Sequence, residues 1–157
     1  SSHELLTARS NRSWGRRAVV FDDTGHYEAV AAAEYLIEQE VAVTYVTSFS
    51  SFAPRLESSL SAIPALERLA TGDFRLVTYA KLLNIADDHV TVAARYGGAP
   101  WAVPADTVVF VSQNAANREL VHDLADSGIP AIPVGDARSP RFLQVAIREG
   151  HLAARNL

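Results

Sequence analysis

Residues 17–47 read RAVVFDDTGHYEAVAAAEYLIEQEVAVTYVT, and the way this stretch folds decides the architecture. Residues 17–22 are a short apolar run of the kind that forms a strand buried on both faces. In the next segment Tyr27, Val30, Ala33 and Ile37 recur at helical spacing, and its alanines lose no side-chain entropy on entering a helix. Residues 41–47 are rich in β-branched side chains and read as a second strand. Strand, helix and strand within about 30 residues make a βαβ unit, hence a parallel pair joined by a right-handed crossover.

Working outward, residues 48–60 are Ser-rich, contain Pro54 and read as a loop. A short helix follows, with Pro64 near its start and Gly72 just past its end. Strands are expected at 74–79, 81–86 and 89–96, after which Gly97 and Gly98 turn the chain into PWAVP. This series predicts a small antiparallel or mixed insertion between 73 and 104. Residues 106–112 form a further buried strand, expected in one parallel sheet with 17–22 and 41–47. Residues 117–128 read as a helix closed by Gly128, with Asn114 or Asn117 able to cap it. Residues 129–136 are expected to return to the sheet, and a last helix to run from about Pro140 to Arg155. Residues 1–16 are polar and basic and read as a linker. The pattern predicts an α/β fold: a Rossmann-like three-layer domain with a parallel sheet and a small β-rich insertion, of the NAD(P)/FAD-binding type.

Composition excludes several function classes. The 157 residues are 48% hydrophobic and 20% charged, which suits one soluble domain, or one domain and part of another. A net charge of −4 opposes nucleic-acid binding. No apolar run approaches the roughly 20 residues of a membrane span, and no signal-peptide pattern is present, so no membrane partner and a cytoplasmic location are expected. The absence of cysteine removes disulfides, thiolate metal sites and cysteine nucleophiles. His3, His26, His89, His122 and His151 show no metal-pair spacing, and no Ser/His/Asp arrangement is recognisable; no metal site and no catalytic residue are assigned. The chain has no methionine, and its opening, SSHELLTARS, reads as internal to a longer polypeptide.

Two stretches are candidate sites. The first is the βα turn Asp22, Asp23, Thr24 and Gly25. Dinucleotide folds place G-x-G-x-x-G there, because the backbone must approach a pyrophosphate. Here two carboxylates oppose that anion and a single glycine remains. Asp23 or Thr24 can cap the following helix, or the turn can face a nucleotide in an altered pocket. Tight NADH or NADPH binding by this chain is not expected. His26 sits at the same turn, where capping or contact with a ligand are both open. The second stretch is VGDARSPRFLQVAIREG, residues 134–150. Gly135 allows close backbone approach, and Asp136 offers acceptors at the carboxyl end of a strand, where open α/β sheets bind ligands. Ser139 as N-cap and Pro140 as first helical residue would start a helix whose positive end suits a phosphate. Asp136 either meets a sugar hydroxyl or only caps that helix.

The order of these pieces resembles a known family. Strand, GDA, a Pro-Arg pair and a helix carrying AIREG look like the closing segment of flavoproteins with the glutathione-reductase type of FAD domain. In particular they resemble the C-terminal region of the trimethylamine dehydrogenase and 2,4-dienoyl-CoA reductase family of NADH:flavin oxidoreductases. VVFDDTGHYEAVAAAEYLIEQEVAVTYVT is similar to the first βαβ of that family's inserted NAD(P)-type domain, and residues 56–85 resemble its middle. The resemblance implies a linker at 1–16, an NAD(P)-type Rossmann-like domain at 17–112 and the closing segment of an FAD-type domain at 113–157. It implies FAD or ADP as the nucleotide, with Gly135, Asp136 and Ala137 meeting its ribose, ribityl or pyrophosphate part. FMN and an iron–sulfur cluster would belong to an N-terminal TIM barrel outside this chain. The partners implied are that barrel and the rest of the FAD-type domain. The glycine-poor first turn looks more like the amine-dehydrogenase branch, which places NAD(P) use in doubt. A free-standing, non-catalytic Rossmann-like binding or interaction module is the alternative.

Overall fold

β1 (Arg17–Asp22) and β2 (Ala42–Thr47) pair in parallel, from Arg17 opposite Ala42 to Asp22 opposite Thr47. β7 (Thr107–Val111) flanks β1 and β3 (Phe74–Val77) flanks β2, both parallel, in the order β3-β2-β1-β7. That is the strand order of one half of a doubly wound sheet, and the fold is Rossmann-like α/β. The computed structural model describes residues 1–7 and 13–156. The chain divides into two compact units, Ser1–Ser112 and Gln113–Leu157.

β1 is apolar because both of its faces are covered. Ala18 and Val20 join a core with Ala29, Ala32, Ala33 and Leu36 of α2 (Tyr27–Glu38). Val19 and Phe21 join a second core with Val90, Val92 and Val103. Those residues belong to an antiparallel sheet of β4 (Ala80–Ile85), β5 (His89–Ala94) and β6 (Trp101–Pro104), in that order. The alanines let α2 lie close on the sheet. Its buried stripe is displaced from the expected one, and Tyr27 is 49% exposed. α3 (Ala62–Leu69) adds Ala62, Ala65 and Leu69 to the first core.

Two expectations for this unit need correction. Residues 74–77 belong to the parallel sheet, so the antiparallel insertion begins at Ala80. Phe74 packs with the rings of Tyr45 and Phe52, at 6.3 and 6.4 Å. That contact holds β3 beside β2, and Tyr79, at φ 51°, then redirects the chain. Residues 1–16 are not simply a linker either. α1 (Ser2–Thr7) inserts Leu5, 2% exposed, into the first core, because an amphipathic turn finds apolar surface to cover. The remainder of that stretch at 8–12 lies outside the described residues.

The entry to β1 is held by Asp106. Its carboxylate accepts from the Arg16 and Arg17 amides, at 2.8 and 3.0 Å, and from the Arg17 guanidinium at 2.9 Å. The Arg17 side-chain bond, with the two amides, holds the Asp106 carboxyl down to about 2. Its stabilising contribution is complete above the ordinary aspartate value and disappears as pH falls through about 2. Acid titration of the Asp106 side-chain carbon by NMR should give a midpoint near that value; an ordinary aspartate midpoint would refute the clasp.

The second unit contains α4 (Glu119–Asp126) and α5 (Leu143–Arg155). Asn117 Oδ1 accepts from the Glu119 amide at 3.1 Å, and Gly128, at φ +71°, ends the helical region as expected. Residues 129–134 are not a strand. Pro130 and Pro133 lack the N–H that a ladder needs, and no strand among the described residues pairs with them. Instead Gly135–Ala137 forms a short 3-10 turn. The last helix starts at Leu143, with Phe142 as N-cap, and not at Pro140. Among the described residues of this unit only Gly135 is buried; Leu120, Leu143 and Ile147 are 68%, 73% and 64% exposed. No helix among the described residues is long and apolar enough to cross a membrane.

Candidate functional site

The first βα turn is organised around a carboxylate directed inward. Asp22 is 0% exposed. Its Oδ1 accepts from the Thr24 amide at 2.9 Å, the Thr24 hydroxyl at 3.0 Å and the Gly25 amide at 2.8 Å. Its Oδ2 accepts from the Tyr45 hydroxyl at 2.8 Å and, more weakly, the Thr47 hydroxyl at 3.4 Å. Burial, then the charge of Asp22 and its hydrogen bond, push the Tyr45 phenol far above its usual range. Amides that would cradle an anion in a glycine-rich loop are here spent on the chain's own carboxylate.

The outer side of the turn is occupied as well. Gly25 has φ +68°, and a Cβ built on it would lie 3.1 Å from Phe49 Cε2 and 3.1 Å from Pro54 Cδ. The Gly25 carbonyl accepts from the Arg55 amide at 3.0 Å, and the Ser48 hydroxyl donates to Asp23 Oδ1 at 2.6 Å. The segment read as a plain loop therefore packs onto the turn, with Phe52, Ala53 and Leu56 buried. Of the four turn residues only Asp23 is exposed. Neither Asp23 nor Thr24 caps α2: the N-cap is His26, without a side-chain cap bond, because the turn closes on Asp22 before the helix begins. His26 Nδ1 lies 3.3 Å from Glu28 Oε2. With its amides committed and the side above Gly25 filled by Phe49 and Pro54, this turn does not fit an NAD(P) pyrophosphate.

The Gly135–Ala137 turn is arranged the opposite way. Gly135, at φ +58°, lies against α5, and an added Cβ would approach Ala146 Cβ to 3.0 Å. The Arg138 and Ser139 amides donate to the Gly135 carbonyl at 3.0 and 2.9 Å, and the Arg118 guanidinium donates to the Arg138 carbonyl at 2.8 Å. Beneath the turn, Glu149 accepts from the Gly135 amide at 2.9 Å. Its other oxygen pairs with Arg141, and Arg138 lies at 3.5 Å. Along a continuous helix Arg141 and Glu149 would be about 12 Å apart, so this ion pair requires the chain before Leu143 to fold back. That geometry displaces Ser139 and Pro140 from the helix start. Asp136 is exposed, and the described residues make no hydrogen bond or ion pair to its carboxylate. It does not cap α5, whose N-cap lies six residues further on, at Phe142. Asp136 thus leaves a tied backbone turn with its carboxylate oxygens open to solvent, where they can accept hydrogen bonds.

The described residues contain no cluster of histidine and carboxylate side chains able to hold a metal ion. Sequence reading passed over Glu149; its signal was the acidic residue of AIREG, spaced to return to a glycine turn, and nothing local distinguishes that from a solvated helix face.

No protein-family model matches the chain, and no curated protein sequence matches it. Solved structures do. Histamine dehydrogenase from Rhizobium sp. 4-9 superposes with a TM-score of 0.86 at 23% identity, over 99% of this chain and 25% of that one. The 6-hydroxypseudooxynicotine amine oxidase of Pseudomonas geniculata N1 gives 0.87 at 24% identity, over 97% and 23%. An HOCl-induced flavoprotein disulfide reductase from Escherichia coli gives 0.60 at 16% identity, over 94% and 37%. The likeness is one of fold. The chain spans about a quarter of the length of the first two proteins, and all three are named for oxidation–reduction chemistry.

Proposed function

We propose that this chain is the C-terminal nucleotide-binding region of a flavin-dependent oxidoreductase of the NADH:flavin type. Residues 17–112 correspond to its NAD(P)-type domain and 113–157 to the closing segment of its FAD-type domain. The reading rests on one observation: Asp136 projects, exposed and unengaged, from a turn whose backbone is tied on both sides. In this reading Asp136 accepts from sugar or ribityl hydroxyls of FAD or ADP, while Gly135 and Ala137 let the nucleotide approach the backbone. Hydride and electron transfer would be supplied by a flavin in the barrel outside this chain; Asp136 only holds and orients the nucleotide. A TIM barrel carrying FMN and an iron–sulfur cluster belongs to the preceding part of the polypeptide.

Two further features agree. A 45-residue unit, 113–157, that buries no apolar side chain among its described residues gains too little to offset its ordering entropy. The rest of an FAD-type domain would cover α4 and α5. The first turn, closed by Asp22 from inside and by Phe49 and Pro54 from outside, keeps the NAD(P)-type fold without its phosphate cradle.

The test is calorimetric titration of the full-length polypeptide and its Asp136→Ala variant. A charge-assisted hydrogen bond is worth roughly 1.5–3 kcal/mol, so FAD or ADP affinity should fall by about one to two decades. The thermal midpoint of the nucleotide-free protein should stay within about 1 °C, because an exposed carboxylate without partners carries little stability. The isolated chain should show no tight NADH or NADPH binding, because its first turn offers no phosphate cradle. A lower midpoint with unchanged affinity would make Asp136 a structural residue and end this reading.

A further inference from the structure

Glu149 lies two turns into α5, its side chain 10% exposed, directly under the Gly135–Ala137 turn. Carboxylates are seldom so covered without a purpose. Each of its oxygens has a separate task. Oε2 accepts the Gly135 N–H, the first donor of the turn. Oε1 takes the Arg141 guanidinium and has Arg138 at 3.5 Å. Gly135, with its positive φ and its approach to Ala146, puts the backbone within reach of that carboxylate. The turn is thus clamped from below, through its amide, and from the side, through the arginines that follow it. Fixing Gly135 fixes the direction in which the next residue, Asp136, leaves the backbone.

We infer that Glu149 is a positioning residue: it sets the Gly135–Ala137 turn so that the Asp136 carboxylate is presented outward, already oriented for a ligand's hydroxyl groups. The inference rests on the nucleotide reading above for the ligand, but the clamp itself can be measured without one. Burial alone would raise the Glu149 carboxyl; the Gly135 amide, Arg141 and Arg138 outweigh it and hold the group below its ordinary 4.5. No other titratable side chain makes an ion pair or hydrogen bond with Glu149 among the described residues.

The experiment uses the 15N-labelled full-length polypeptide, in which the rest of the FAD-type domain covers this unit, and two variants. In the unaltered protein the Gly135 amide resonance should titrate with Glu149, at a midpoint below 4.5. In Glu149→Gln an acceptor oxygen remains for that amide, so its hydrogen exchange should stay within about threefold while the acid titration vanishes. In Glu149→Ala the exchange at Gly135 should accelerate by about tenfold or more, with helical circular dichroism retained. In the full-length polypeptide Glu149→Ala should then weaken FAD binding by about tenfold, and Glu149→Gln should restore part of it. Unchanged exchange at Gly135 in Glu149→Ala overturns the clamp, whatever FAD does. If Glu149→Ala does not fold, Glu149→Gln decides: a Gly135 amide that still titrates overturns it. If exchange responds as expected but no variant, nor the unaltered protein, binds FAD or ADP, the clamp stands and the nucleotide reading fails.

Discussion

Replacing Asp22 with alanine should destabilise the first unit by roughly 3–5 kcal/mol, among the largest effects available to a single substitution. The side chain is fully buried, and truncation removes the acceptor of five donors: the Thr24 and Gly25 amides, the Thr24 hydroxyl, the Tyr45 hydroxyl, itself 0% exposed, and the Thr47 hydroxyl, which keeps the Asp22 carbonyl as a second acceptor. A buried donor stripped of its acceptor costs about 1–3 kcal/mol, and their partial relaxation brings the sum to the stated range. At roughly 2–4 °C per kcal/mol for a protein of this size, the thermal midpoint should fall by roughly 6–20 °C. Asp22→Asn keeps one acceptor for the amides and should lose about 1–2 kcal/mol. Tyr45 supplies an independent readout. Its phenol is raised by burial and by Asp22, so it stays protonated in the folded state and contributes stability below its unfolded value, near 10, that declines as pH rises beyond it. In Asp22→Ala the second and third of those causes are gone, and tyrosinate absorbance should appear at lower pH. A variant within about 0.5 kcal/mol of the unaltered protein would mean that the carboxylate is not the organiser of this turn.

Gly25→Ala is the second large effect, and its sign separates a packed turn from an open cradle. The residue sits at φ +68°, where an L side chain is strained, at a cost of about 1–2 kcal/mol. Its new methyl would press at 3.1 Å on both Phe49 and Pro54, and overpacking of this kind costs about 1–3 kcal/mol. The expected loss is therefore about 2–5 kcal/mol, read by urea unfolding as a lower midpoint with an unchanged slope. Were the turn an open phosphate cradle, the methyl would meet solvent, only the backbone strain would register, and a Phe49→Ala change would not rescue it. In the packed turn, Gly25→Ala combined with Phe49→Ala should lose less than the sum of the two single changes, because they share one contact. Strict additivity would remove the packing argument.

The βαβ unit at 17–47, the paired glycines before β6 and the helix stop at Gly128 were legible because each is a local matter. Alternation, helical spacing, β-branching and positive-φ glycine act over a few residues, and the chain declares them without reference to distant partners. The prominence of the Gly135–Asp136 turn was legible for the same reason, since a glycine-aspartate pair before an amphipathic segment is a local signature. What those residues do was not. An aspartate at a βα turn can serve a helix, a ligand or the core; Asp22 serves the core because Tyr45 and Thr47, more than 20 residues on, bring their hydroxyls beneath it. Gly25 reads as space for a phosphate until Phe49 and Pro54 fill that space. Residues 74–77 carry the same β propensity as their successors, and only Phe74 meeting Tyr45 and Phe52 assigns them to the parallel sheet. Ser139 and Pro140 form a good helix start locally, yet the pull of Glu149 on Arg141 begins α5 three residues later. Sequence alone determined the helices and most of the strands between residues 17 and 128, because they depend on short-range sterics and periodic burial, whereas α1 and the lack of a strand at 129–134 depended on what the fold supplies as a partner. Tertiary structure alone decided which carboxylates are spent inside and which is left facing out, because a polar group's partner is chosen by whatever the folded chain brings within about 3 Å of it.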